Sequence, residues 1–252
     1  MTCLAGSFQA ATRKYLEEIQ VEISGELVLT RDAIAVASPW RGRRPPVRHL
    51  VEALLARDDD RAAELCDRFL ARARTRAAVF ADLLQPALYE IGEIWYQGRI
   101  KLDDERRAAV LVERLVEHLP ATPVASPVPR GSRCLLARFP GDRHLLGLRM
   151  FALVLEDEGW EVEVVDVDVD TSGLVALAGR FRPRLVGLSG GYLPSARVAA
   201  QVVGALRGLG LPVLVGGMAF NRSVDLWRRV GASGHGADAR VGAVLARRVV
   251  RS

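Results

Sequence analysis

Apolar side chains recur at spacings of three and four from Pro46 to about Leu119, through VRHLVEALLA, AAELCDRFLARA, AAVFADLLQPALYEIGEIWY and ERRAAVLVERLVEHL. That period predicts four amphipathic helices, interrupted at RDDD, RTR and QGRIKLDD. Short connections favour antiparallel neighbours, so a four-helix bundle is expected over residues 46–119. Pro86 lies inside the third pattern and predicts a kink or a helix start, because its ring clashes with the preceding turn. The acidic run LDDE, Leu102 to Glu105, suits the N-terminus of the fourth helix. Residues 119–132, LPATPVASPVPRGS, hold four prolines among small polar residues and read as an extended linker.

Beyond the linker the period changes. CLLARF has the length and composition of a strand, HLLGLRMFALVLEDEGW reads as a helix with a glycine stop, and EVEVVDVDV alternates like a strand. SGLVALAGRF, SARVAAQVVGALRGLG and SVDLWRRVG read as helices, while RLVGLSG and PVLVGG read as strands. A weak last strand at ASGHG and a terminal helix at ARVGAVLARRVV complete the series. Such alternation is the signature of an α/β fold, here a doubly wound parallel sheet of five strands with helices on both faces. The expected organisation is an N-terminal segment of unclear structure at 1–45, a helical cap at 46–119, a linker at 120–132 and the sheet domain at 133–252. In such sheets ligands bind beyond the carboxyl ends of the strands, at the switch point.

Composition adds exclusions. Half of the 252 residues are hydrophobic and 26% are charged, enough to build a real core. The formal net charge of +5 and the RGRR run at 41–44 invite a nucleic-acid reading. All but two of the 35 basic residues are arginines, spread along the chain and interleaved with acids as in RDDDRAAELCDRFLARARTR. That is the pattern of solvated helix faces, and direct DNA binding is not expected. No apolar run approaches the roughly 18 residues of a membrane span, and the N-terminus has no signal-peptide pattern, so a cytoplasmic protein is expected. Cys3, Cys66 and Cys134 are far apart with no CxxC pairing, which suggests neither disulfides nor a zinc site.

Three loops at expected strand ends carry unusual residues: GDRHLLG at 141–147, Ser189 to Tyr192, and Gly216 to Asn221. The glycines remove side chains where something must approach the backbone closely. No GxGxxG follows the first strand, so a dinucleotide cradle is not supported. The first loop instead offers His144 with Asp142 two residues earlier. An imidazole there can titrate, catalyse or bind a metal, and the carboxylate can fix its tautomer; a solvated surface histidine is the plain alternative.

Asp142-x-His144-x-x-Gly147, followed by Ser189 and then Gly216-Gly217, resembles the DxHxxG…S…GG signature of cobalamin-binding domains. The serine element reads Ser189-Gly190-Gly191 where the family usually has SxL. A four-helix cap joined by a Pro-rich linker to a flavodoxin-like domain is also how these modules are built, so the resemblance covers residues 46–252. It implies that His144 replaces the lower base as axial ligand of cobalt, that Asp142 accepts a hydrogen bond from its other ring nitrogen, and that Ser189 extends this network. It also implies that Gly147, Gly191, Gly216 and Gly217 leave room for the nucleotide tail, with Arg143, Leu145 and Gly190 among the cofactor-binding residues. The cap stretch IGEIWYQGRIKLDDERRA resembles light-sensing and regulatory cobalamin proteins, in which Trp is followed after nine residues by Glu-His. Trp95 and Glu105 keep that spacing, with Tyr96 beside the Trp and Arg106 in place of the His. Trp95 would cover the upper face of the corrin and Glu105 would bond an adenosyl group, making adenosylcobalamin the expected cofactor form ahead of methylcobalamin.

The function expected from the resemblance is a cobalamin-dependent sensor or regulator, adenosylcobalamin- or light-responsive, acting through a protein partner or its own oligomer rather than as an enzyme. The alternative is the corrinoid carrier of a methyltransferase system. A mutase small subunit fits less well, because those usually lack the cap. His235, near the last strand end, is read as a loop histidine able to line the nucleotide pocket.

Overall fold

A computed structural model describes residues 45–124, 128–193, 195–223 and 225–249. The expectations for residues 1–44, with Cys3 and the RGRR run, lie outside the described residues. The cap begins with helices α1 (Pro45–Ala56) and α2 (Asp59–Ala73). The Asp58 side chain accepts from the N–H of Arg61 and caps α2. Helix α3 (Arg76–Val79), capped by Thr75, runs through a π-helical turn at Phe80–Leu84 into α4 (Gln85–Tyr96). The N–H of Gln85 bonds the carbonyl of Phe80, five residues back. The disruption expected at Pro86 therefore takes the form of a widened turn just before it. Pro86 then sits in the first turn of α4, directly after that widened turn. Helix α5 (Leu102–His118) opens on the acidic run, with Asp104 accepting from the N–H of Lys101 at 3.2 Å.

The second part contains five parallel strands: β1 (Arg133–Arg138), β2 (Glu161–Val165), β3 (Leu185–Ser189), β4 (Val213–Gly216) and β5 (Gly234–Gly236). Their order is β2-β1-β3-β4-β5. The connecting helices are α6 (Leu146–Asp157), α7 (Thr171–Phe181), α8 (Ala196–Arg207) and the short α9 (Met218–Asn221) and α10 (Leu226–Arg229); α11 (Ala239–Val249) closes the series.

The period of two along β1 sorts its side chains between two cores. Cys134 and Leu136 join a core that includes Leu148 and Leu155 of α6, Ala243 and Ala246 of α11, and Leu50, Leu83 and Val112 of the cap. Leu135 and Ala137 join the opposite core with Leu174 and Ala178 of α7 and Val202 and Leu206 of α8. The cap interior is thus continuous with one face of the sheet domain.

Polar contacts fix that union. Arg76, at the start of α3, forks onto Asp157 at the end of α6 (2.5 and 2.9 Å) and donates to the carbonyl of Leu153. Both charged side chains are 7% exposed. The second lone pairs of Asp157 take the backbone N–H and hydroxyl of Thr122. The described part of the linker is therefore pinned rather than a free spacer. Arg240 of α11 forks onto Asp82 of the π-helical turn, and Gln85 donates to the carbonyl of Ala237.

Candidate functional site

β1 and β3 are neighbours, with Arg138 opposite Ser189 in the ladder. From this pair the chain crosses to β2 on one side and to β4 on the other, so the crevice beyond their carboxyl ends is the switch point of the sheet. The loop leaving β1 is short and bent. The N–H of Phe139 donates to the carbonyl of Ser189, the N–H of Asp142 returns to the carbonyl of Phe139, and Gly141 between them has φ +81°. That conformation favours glycine. Helix α6 begins only at Leu146, so His144 stands on the loop and not in the helix.

Asp142 organises this loop. Its Oδ1 accepts from the backbone N–H of His144 at 2.7 Å and lies 2.8 Å from the ring Nδ1. Its Oδ2 accepts from the N–H groups of Gly191 and Tyr192, at 2.5 and 3.0 Å. The carboxylate side chain is 1% exposed and the imidazole 59% exposed. Burial by itself pushes the Asp142 carboxyl up, but the hydrogen bonds from His144 and Tyr192 outweigh it and hold it below its usual range. The same bond, donated to Asp142, holds the imidazole of His144 above its ordinary value despite desolvation. An acceptor at Nδ1 places the neutral ring's proton there and leaves the Nε2 lone pair unused. The ring leans on Tyr192, with centroids 5.2 Å apart.

The expected glycines have diverse neighbours. A Cβ on Gly191 would lie 2.6 Å from His144 Nδ1, so this glycine makes room for the imidazole itself. Gly190 would meet Leu193, Gly216 the carbonyl of Gly236 at 2.9 Å, and Gly217 the carbonyl of Gly190 at 2.4 Å. At these positions the close approach is by the protein's own chain. Gly147 is exposed and a Cβ there would meet nothing within 4 Å. Ser189 is half-buried beside Gly190, and its hydroxyl is not among the partners of Asp142, whose second oxygen is taken by backbone N–H groups. Arg143 is exposed, and Leu145 packs against the core shared with the cap.

The cap brings Glu105 and Tyr96 toward the same crevice. Glu105, in the first turn of α5, is half-buried; desolvation raises its carboxyl, offset by the charges of His144 and Arg106. Tyr96 is 40% exposed, and Tyr192 of the sheet domain, whose phenol is pushed up by burial, feels the charge of Glu105. Trp95 is buried but joins neither hydrophobic core, and its Nε1 is shut from water without a hydrogen-bond partner. A buried indole N–H usually finds an acceptor.

Sequence reasoning passed over several residues here. Tyr192 follows the Gly-Gly pair directly and supplies both an N–H and a ring to the Asp142–His144 unit. Arg138 ends β1 and holds the loop carbonyl of Asp142. A chain of side chains joins the cap to the ends of β4 and β5: Asn221 donates to Tyr89 Oη at 3.0 Å and to the carbonyl of Ala237, while its Oδ1 accepts from His235 Nε2 at 2.8 Å. That places His235 in a bonded network rather than on a free loop, and burial lowers its pKa.

Residues 132–244 match the family described as B12 binding domain, and residues 47–119 match a second family of the same description. The chain belongs to the cobalamin-binding family. It is 31% identical over 208 residues to the HTH-type transcriptional repressor CarH of Myxococcus xanthus, covering 81% of this chain and 66% of that protein. It is 25% identical over 150 residues to methionine synthase of Mycobacterium tuberculosis, covering 58% of this chain and 13% of that enzyme. The chain thus spans just under two thirds of the first relative and a small part of the second. Among solved structures, the monomethylamine corrinoid protein of Methanosarcina barkeri shares the fold, with a TM-score of 0.67 at 19% identity over 81% of this chain and 98% of that one. No helix among the described residues is long and apolar enough to cross a membrane.

The cofactor indicated by the family is cobalamin, and the residues present fit it. Among the described residues no three His, Cys, Asp or Glu side chains gather around a point. One exposed imidazole with a fixed tautomer suits a metal that arrives already held by a macrocycle and needs a single further ligand.

Proposed function

We propose that this chain holds cobalamin base-off between cap and sheet, with His144 Nε2 on cobalt, and works as a regulatory module that reports the state of the upper ligand. The observation that carries this reading is the imidazole of His144, 59% exposed and gripped by a carboxylate that is 1% exposed. Asp142 holds the ring at Nδ1 and leaves Nε2 outside that bond. Gly147 leaves room for the nucleotide tail, with Ser189, Gly190, Gly191, Gly216 and Gly217 shaping the backbone it runs along. Trp95, Tyr96 and Glu105 cover the upper face. Bound cobalamin supplies the making or breaking of a cobalt bond on that face; the residues here bind, orient and exclude water.

The regulator is preferred over a methyl carrier because of the cap. The spacing of Trp95 and Glu105 supports an upper pocket that accepts an adenosyl group, and the similarity to CarH, a transcriptional repressor, supports a regulatory use. Loss of that group changes the packing of the cap over the sheet domain, which a partner or a second copy of the chain reads.

Purified protein is to be mixed with adenosyl-, methyl- and hydroxocobalamin and followed by visible absorption. Wild type gives a base-off, histidine-ligated spectrum and His144→Ala does not; an unchanged wild-type spectrum removes the reading. Size exclusion in the dark and after illumination then separates the two uses. A change in oligomeric state with adenosylcobalamin supports the regulator, and no change with any form transfers the assignment to the methyl carrier.

A further inference from the structure

Arg138 is the last residue of β1, and its guanidinium is committed to the backbone of two loops. Nη1 donates to the main-chain carbonyl of Asp142 at 2.9 Å, and Nη2 donates to the main-chain carbonyl of Asp166, just beyond β2, at 2.7 Å. Nε is buried with no partner, and no carboxylate pairs with this side chain among the described residues. A half-buried cation without a counter-ion is an expensive way to hold two carbonyls, since neutral donors do so at less desolvation cost. What the fork provides is rigidity. Its planar donors set the distance between the Asp142 backbone and the end of β2. A second tie runs alongside, where the Asp168 carboxylate accepts from the N–H of Gly141 at 3.1 Å. From the other side, the N–H groups of Gly191 and Tyr192 hold the Asp142 carboxylate. The residue that orients His144 is thus gripped from the β2 side through its backbone and from the β3 side through its side chain.

We propose that Arg138 is a positioning residue for the cobalt-ligating histidine: by fixing the backbone of Asp142 against the end of β2, it sets where the imidazole Nε2 stands. This rests on the reading of His144 as the axial ligand. Arg138 acts through Asp142 and His144, so its effect must vanish when His144 is gone.

A double-mutant cycle on the full chain tests this, with hydroxocobalamin as the probe and two readouts, the dissociation constant and the absorption change of histidine ligation. Arg138→Met, which keeps bulk and removes all donors, is expected to weaken binding about 10-fold and reduce the ligated fraction, the scale of outer-shell changes at metal sites. Arg138→Lys, which retains charge and one donor, recovers part of the loss, and it carries the cycle if the Met variant fails to fold. In the His144→Ala background the same substitution is expected to change binding less than 2-fold. An equal loss in both backgrounds overturns the proposal, because Arg138 would then act on the cofactor or the fold directly. A single Arg138→Met variant with wild-type affinity and spectrum also overturns it. If wild type and His144→Ala bind alike, the failure belongs to the ligand assignment and is visible before Arg138 is changed.

Discussion

Replacing Gly191 by Ala perturbs the Asp142–His144 pair without touching either residue. The backbone of Gly191 is not in the left-handed region, so Ala is conformationally acceptable there, and its N–H to Asp142 is retained. The added methyl is not. It would lie 2.6 Å from Nδ1, 2.7 Å from Cγ and 3.2 Å from Cβ of His144. The ring must retreat by roughly 1 Å to reach ordinary van der Waals separation, which stretches a 2.8 Å contact with Asp142 past hydrogen-bond length. Because the imidazole is 59% exposed, it can swing into water, where solvent replaces the lost partner. Thermal stability of the free protein is therefore expected to fall by less than about 1 kcal/mol. The cost appears in ligation. An imidazole without its carboxylate has neither a fixed tautomer nor a fixed direction, and the loss expected is about 10- to 100-fold in affinity, or about 1.4 to 2.8 kcal/mol. Titration with hydroxocobalamin, followed by absorption, measures this directly, with a melting curve of the same sample as the fold control. A Gly191→Ala protein that binds with wild-type affinity and gives the wild-type spectrum would refute the argument that Gly191 is glycine for the sake of the histidine.

Other outcomes follow from the packing. Arg76→Ala strands the Asp157 carboxylate, whose side chain is 7% exposed, with Thr122 as its remaining partner; urea unfolding should show a loss of about 3–5 kcal/mol. A loss under 1 kcal/mol would mean that the cap is not held to the sheet domain by this pair. Burial pushes the Cys66 thiol up to about 12, and Cys134 is raised further, so neither presents thiolate at neutral pH. Labelling with a thiol reagent should leave both unmodified until the protein unfolds; rapid labelling of either contradicts their burial. His235 has its pKa lowered by desolvation, so the unfolded chain takes up its proton first as pH falls. Stability linked to this residue is intact above about pH 6.5 and declines below it toward the depressed folded value. His235→Gln should flatten that part of the stability profile, and a profile identical to wild type would exclude the linkage.

The order of elements was legible in the sequence because each signal is local. A period near 3.6 marks the cap helices, runs such as CLLARF mark buried strands, and prolines mark the connection between them. Asp142 and His144 were legible for the same reason: two residues apart on one loop, they need only a short turn to meet. The remainder depends on distant segments. Sequence could not show that the second oxygen of Asp142 is satisfied by Gly191 and Tyr192 N–H groups rather than by Ser189, because those groups lie 49 and 50 residues away and meet it only where β1 and β3 end side by side. Nor could it assign the glycines, since the same residue type makes room for a histidine at 191, allows loop against loop at 217 and opens onto space at 147. Arg138 was one arginine among many until the end of β2 came beside it. What the chain alone determined is the set of elements and the candidate ligand, through short-range pattern. Tertiary structure decided which groups hold that ligand in place, because hydrogen bonds and close contacts are set by three-dimensional distance, to which separation along the sequence is no guide.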